Sequence, residues 1–539
     1  MREKIDLRTD KGKTGTERPA AALLRAAPLA DALRKHQEAG FFPFHIPGHK
    51  GGAAFPPLLK EKWGENVLKW DLTELPGLDD LHAPHGAIAA AQEAAAQLWG
   101  AAETFFLVNG SSAGIEAMLW AAAGEGERVL LSRQAHRSAL GGLILSGAWP
   151  VYLETEIDAE FQIPLGFTRE ELRKKLTRSG GPAVSKGPDA PGADFSARSK
   201  RPSAAGKAFA AAVAVYPNVY GVAEHLKELA ACCRGQEIPV LADEAWGAHF
   251  LFHSCFPQPA LAQGAEAAVQ SWHKMLGSLT QSAVLHCRGE LIAADDIRKR
   301  LLILQSTSPS YLLLASLDAA REWMEREGKK LWELALEAAQ KARREIGRLP
   351  GLACLDETVL QHPAAGGWDP VRLTVKVSGL GLSGFAAADF LARECRLQVE
   401  MADAWNVVAV IGPGEGEESA ERLTEGFKAL CRRFGGRKAG RDERQKGFAP
   451  VLKKWPLPPA VMTPRQAFLA PAETVLLREA RGKVAAEMVC PYPPGIPLLA
   501  PGEKIEAEIL EMIAELKAAG ARWQGTADAS LDTLRVVKE

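Results

Sequence analysis

The stretch VQSWHKMLGSLTQSAVLH, from Val269 to His286, decides how the rest of the chain is read. Most of it suits a buried strand running into a turn, yet His273 and Lys274 stand in the middle. An ammonium is costly to bury unless it is paired or used chemically. A lysine just after a strand, with polar neighbours, is placed to form a Schiff base with an aldehyde. Taken singly, a lysine is far more often a surface group or a salt-bridge partner, so Lys274 needs company.

The chain before it supplies a frame. AIAAAQEAAAQLW (87–99) predicts a helix, TFFLV (104–108) a strand, NGSSAG (109–114) a turn and IEAMLWAAA (115–123) another helix. ERVLLS (127–132), WPVYL (149–153), AAAVAVY (210–216) and IPVLAD (238–243) are further strands, each followed by loop or helix. That alternation predicts an α/β domain, a mostly parallel sheet covered by helices. In such sheets functional residues gather at the carboxyl ends of the strands. The polar clusters NGSS, SRQAHRS, YPNVYG, ADEAW and SWHK all fall there.

Those clusters give Lys274 its partners. Asp243 closes a buried strand, where an acid can pair with a pyridinium nitrogen or simply cap the next turn. The small residues of NGSSAG let backbone N–H groups approach a phosphate at a helix N-terminus, although Ser and Gly also make ordinary caps. His136 is suited to lie flat on a cofactor ring, or to be structural. Each signal is ambiguous alone, and their order and spacing together are not.

Composition sets limits. The 539 residues carry 65 Lys and Arg against 66 Asp and Glu, so nothing calls for nucleic acid or an anionic membrane as partner. The polar N-terminus and the lack of any run of roughly 18–20 apolar residues predict a cytoplasmic protein without a membrane span. Eight cysteines in no regular spacing read as reduced thiols. His45 and His49 have an H-x-x-x-H spacing, but Pro47 and Gly48 between them break a helix, so no metal site is expected.

Four regions are expected. Residues 1–325 form the major domain, including the N-terminal segment and a Gly/Pro-rich insertion at about 178–207 that reads as a mobile surface loop. Residues 326–435 form a small α+β domain, 436–450 a basic linker and 451–539 a C-terminal domain. The run from Tyr311 to Ile346 has helical periodicity and suggests a connecting helix pair.

Longer motifs make the chain recognisable. FHIPGHKGG (44–52), DLTELPGLDDLHAPHGAI (71–88), FFLVNGSSAGIEAM (105–118), YPNVYGV (216–222), ADEAWGAHFLFH (242–253), SWHKMLGSLTQ (271–281), STSPSYLLLASLD (306–318) and CPYPPGIPLLAPGE (490–503) occur in this order. The chain resembles the Orn/Lys/Arg decarboxylases, pyridoxal-phosphate enzymes of aspartate-aminotransferase-like fold. The resemblance implies decarboxylation of a basic amino acid, arginine ahead of lysine or ornithine, in polyamine-type metabolism. It implies that Lys274 is the Schiff-base lysine, with His273 near the reacting carbon. It places Asp243 on the pyridinium nitrogen, His136 against the ring and Trp246 along the cofactor. Ser111, Ser112 and Ser271 would hold the phosphate, and Thr307 and Ser308 would reach the cofactor of a neighbouring subunit, hence a homodimer or larger homo-oligomer. The receiver-like N-terminal domain of larger relatives is not expected, because the PGHK motif begins by Pro47. An aminotransferase or aldolase-type lyase of the same fold shares the Lys, Asp and phosphate loop. For the substrate's distal cation the candidate carboxylates are Glu74, Asp79, Asp80, Glu400, Asp403 and Glu487.

Overall fold

A computed structural model describes residues 26–177, 208–435 and 454–538. The N-terminal tail, the Gly/Pro-rich insertion and the basic linker lie outside the described residues. At the centre is a seven-stranded sheet: β1 (Glu103–Leu107), β2 (Arg128–Ser132), β3 (Trp149–Leu153), β4 (Ala211–Val215), β5 (Val240–Asp243), β6 (Ala267–Gln270) and β7 (Ala283–Cys287), in the order β1-β7-β6-β5-β4-β2-β3. The neighbouring pairs among β6, β5, β4, β2 and β3 are parallel, and β7 alone in this sheet runs against both its neighbours. Every residue of β4, β5, β6 and β7 is buried. Near-continuous Ala and Val runs therefore replace the polar alternation of a half-exposed strand.

Helices α1 (Ala87–Trp99), α2 (Gly110–Ala122) and α3 (Arg137–Ser146) cover the sheet. Gly114 lets α2 settle onto it, because a Cβ there would lie 2.6 Å from Leu107 Cδ1. After β6 the chain makes the one-turn helix α4 (Trp272–Met275) and then returns as β7. Trp272 drives that turn into the core. Its indole stacks on Trp99 at 4.7 Å between ring centroids, and its N–H donates to Gln270 Oε1 at 2.8 Å. Trp272 and Met275 are thus the buried positions of the turn, and His273 and Lys274 remain partly accessible.

The segment expected to form a helix pair is one helix, α5 (Tyr311–Gly347), 37 residues long. Gly328 does not interrupt it. A Cβ there would lie 2.9 Å from Phe252 Cδ1, so the glycine admits a close contact rather than a turn. Beyond α5 a four-stranded antiparallel sheet forms from β8 (Ala353–Cys354), β9 (Arg372–Lys376), β10 (Met401–Ala402) and β11 (Asn406–Val410), in the order β8-β9-β11-β10. Helices α6 (Gly384–Cys395) and α7 (Glu417–Phe434) accompany it, and α7 packs along α5. The described residues from 454 onward have their own core of Leu498, Leu499, Ile505, Ile513 and Leu534.

A buried ion pair ties this last part to the central sheet. Arg133, just past β2, donates to Glu503 at 2.7 and 3.0 Å and to the carbonyls of Leu498 and Pro456. Both side chains are almost wholly excluded from solvent. Truncating one partner strands a buried charge, which costs about 3–5 kcal/mol. Arg133→Met should therefore lower the denaturant midpoint markedly, and Arg133→Met with Glu503→Leu should lower it less. Equal losses in the two variants would contradict a charged pair.

Candidate active site

The carboxyl ends of β2, β4, β5 and β6 converge on one recess. Ser111, Gln134, His136, Asn218, Asp243, Trp246 and Lys274 line it, together with Pro494 and Ile496 from the C-terminal part. Five of the side chains expected from the sequence thus share one pocket. Ser112 follows Ser111 at the start of α2 and is exposed. Ser271 lies immediately before α4, fully buried, and its Oγ has no hydrogen-bond partner. His273 is half-buried with Nδ1 2.8 Å from the Ser282 carbonyl. Thr307 and Ser308 are exposed, on the loop before α5, and do not line the recess of this chain.

The amine of Lys274 sits 4.1 Å from the centroid of the Trp246 ring. Burial pushes it down to about 8, against the pull of the Asp243 carboxylate, which favours the ammonium. Asp243 is buried at the end of β5, and burial raises it above the ordinary carboxyl range while Lys274 acts in the other direction. His136 caps α3 by accepting from the Ser138 N–H through Nδ1 at 3.3 Å, which puts the ring proton on Nε2. Burial, with the charges of Lys274 and Arg137, pushes His136 down to about 4, so the ring is neutral at neutral pH. Burial also lowers His273.

These groups fit pyridoxal phosphate. The pocket offers an amine for an aldehyde, a buried carboxylate for a ring nitrogen and a neutral imidazole for a ring face. The Ser271 hydroxyl is an orphaned donor of the kind a phosphate oxygen satisfies. Asn109, the N-cap of α2, makes no side-chain capping bond, so the first N–H groups of the helix beside Ser111 are open to an anion.

Sequence reasoning passed over the layer beneath. Gln134 donates to Glu224 Oε1 at 2.6 Å and accepts from Asn218 at 3.0 Å. Glu224 also takes the Ser132 hydroxyl at 2.5 Å and the Val215 N–H at 2.8 Å. Gln134 and Asn218 lie within the quoted SRQAHRS and YPNVYG clusters; Glu224 carries no local signal and is found through its partners. Of the six carboxylates considered for a distal cation, three are committed elsewhere. Asp79 accepts backbone N–H groups from Asp80, His85, Gly86, Ile88 and Ala89. Asp403 holds Tyr220, Trp405 and Asn406, and Glu487 holds the Ala527 and Arg535 N–H groups. Glu74 bonds to Thr73, and Asp80 to the His82 N–H. Glu400 is exposed, and its charge acts on both His273 and Lys274. His45 meets the Ile46 carbonyl and His49 meets Asp71.

Burial raises Glu224 from 4.5 to about 7. Between those values the folded chain holds more protons than the unfolded one, so this group's contribution to stability falls as pH rises through the window. Glu224→Gln should flatten the fall in stability between about pH 4.5 and 7, by on the order of a few kcal/mol relative to the wild type. Parallel stability–pH curves for the two proteins would show that Glu224 does not titrate there.

Residues 27–419 match the model of the Orn/Lys/Arg decarboxylase major domain, and residues 449–526 that of the C-terminal domain. The chain is 37% identical over 512 residues to the arginine decarboxylase of Bacillus subtilis (strain 168), covering 95% of this chain and 98% of that one. It is 27% identical to the lysine decarboxylase LdcA of Pseudomonas aeruginosa, covering 88% of this chain and 74% of that one. Among solved structures, the Francisella novicida lysine decarboxylase LdcF superposes with a TM-score of 0.79 at 20% identity, covering 95% of this chain and 81% of that one. Among the described residues no helix is long and apolar enough to cross a membrane.

Proposed function

The chain belongs to the Orn/Lys/Arg decarboxylase family, and from that premise we propose that it converts arginine to its amine and CO2 with pyridoxal phosphate held around Lys274. The observation that carries the reading is the convergence of Lys274, Asp243 and His136 on one recess, and the Ser271 hydroxyl, buried three residues before Lys274, has no hydrogen-bond partner. Pyridoxal phosphate, when bound, supplies the aldehyde that captures an amino group and the sink for the electrons left behind by CO2.

The chain's own residues do the rest. Lys274, brought down to about 8, presents a usable fraction of free amine near neutral pH. Asp243 holds a proton on the ring nitrogen by keeping a carboxylate opposite it. His136, neutral, lies against the ring without adding a competing charge. Ser111, Ser112 and Ser271 hold the phosphate, and Trp246 walls the cofactor. His273 gives its Nδ1 proton to the Ser282 carbonyl, so Nε2 is the atom that would take up a proton from solvent and pass it to the carbon that loses CO2. Glu400, exposed and close enough to act on Lys274, takes the cationic end of the substrate. Thr307 and Ser308 serve the pocket of a second copy, which also covers the exposed Leu302 and Ile303 beside them.

Arginine is favoured because relatives at a third identity or more along most of the chain carry that substrate in their names, and those named for lysine are less similar. Borohydride reduction of the protein loaded with pyridoxal phosphate should add the pyridoxyl mass to the peptide containing Lys274, and Lys274→Ala should lose both adduct and turnover. With arginine, lysine and ornithine offered separately, arginine should give amine and CO2 fastest. A keto-acid product, or an adduct elsewhere, would overturn the reading. Glu400→Gln should raise KM for arginine on the order of tenfold with kcat little changed, whereas His273→Ala should lower kcat by about 10²-fold or more.

A further inference from the structure

Trp246 carries two cations. Lys274 Nζ lies 4.1 Å from its ring centroid and the Arg372 guanidinium carbon 3.7 Å from it, so the two can be no further apart than the sum of those distances. Arg372 opens β9 and is completely buried, yet its Nε and Nη1 make no hydrogen bond, and Nη2 points at Met275 Sδ, 3.5 Å away on α4. Its counter-charge, Asp369, stands 3.6 Å from Nε and is shared with His249, whose Nε2 is 3.2 Å away. A guanidinium does not give up its proton in proteins. A fixed positive charge has thus been placed beneath the wall of the pocket, next to an amine.

We propose that Arg372 is a positioning residue for the reaction: its permanent charge, fixed on Trp246 with Asp369 behind it, adds to burial in weakening the basicity of the Lys274 amine. This rests on the reading of Lys274 as the nucleophile. The other groups around that amine push the opposite way or carry no charge. Asp243 from β5 and Glu400 from the segment before β10 favour the ammonium. His136, after β2, and His273, on α4 itself, are driven toward the neutral form by burial. Arg372 is the fixed cation in this set, and together with burial it opposes two carboxylates. A second cation beside a lysine lowers its basicity because two like charges in a poorly solvated site repel.

The test reads the amine without the cofactor. Full-length protein stripped of pyridoxal phosphate is labelled with trace acetic anhydride across pH about 6 to 10, and the peptide containing Lys274 is quantified by mass spectrometry. Arg372→Met should raise the midpoint of Lys274 labelling by about one unit, a roughly tenfold slower reaction at neutral pH. Arg372→Lys, which keeps a cation, should leave the midpoint near that of the wild type. Should Arg372→Met fail to fold because Asp369 is left buried with only His249 beside it, Arg372→Met with Asp369→Asn removes both charges and should show the same rise. A midpoint unchanged in a folded variant without the charge, or raised as much by Arg372→Lys, overturns the proposal. Borohydride reduction separates this from the functional reading: a Lys274 that never joins the cofactor still reports its basicity to acetic anhydride.

Discussion

The arrangement depends on an amine and a carboxylate sharing a poorly solvated space. Burial disfavours the charged form of both Lys274 and Asp243, and each favours the charged form of the other. The central sheet makes the pairing possible, because Asp243 ends β5 and Lys274 follows β6, and these strands are adjacent and parallel. Two loops leaving the same edge of the sheet, one strand apart, bring the groups together without any long-range adjustment.

What locks that geometry is apolar. Trp272, stacked on Trp99 and bonded to Gln270, fixes the single turn that carries Lys274, and a helix of four residues could not hold itself without such an anchor. Beside the recess, the Glu224 network gathers Ser132, Gln134 and the β4 backbone, so the strand ends there are tied by hydrogen bonds as well as by packing. The pocket is closed by Pro494 and Ile496, which reach it because Arg133 and Glu503 hold the C-terminal part against the end of β2.

Much of this was legible in the sequence because it is local. Apolar runs of strand length followed by Gly, Ser, Asn or Asp marked β1, β2, β4 and β5 and the loops after them, and Ser111, His136, Asp243, Trp246 and Lys274 were visible as polar residues where such strands end. The run after Tyr311 reads from the sequence as a helix pair, and it is one continuous helix in which Gly328 meets Phe252. Arg372 and Glu224 were illegible because their meaning is entirely tertiary. Arg372 sits in RLTVKV, an ordinary strand pattern, and nothing in its neighbours announces that the side chain reaches Trp246, 126 positions earlier in the chain.

The same contrast bears on how such a site can be tuned. Groups that touch the cofactor or the substrate are constrained by its shape, so they leave little freedom for adjusting the basicity of Lys274. A charge behind the pocket wall is under no such constraint. Arg372 is completely buried against the indole and does not line the recess, and in a poorly solvated setting its charge acts on Lys274 more strongly than it would in water. Moving that charge by changing Asp369 or His249 would alter the amine without altering any surface the substrate meets. A fold that brings Arg372 of the small sheet onto the same indole as the lysine therefore has a means of setting reactivity that is separate from recognition.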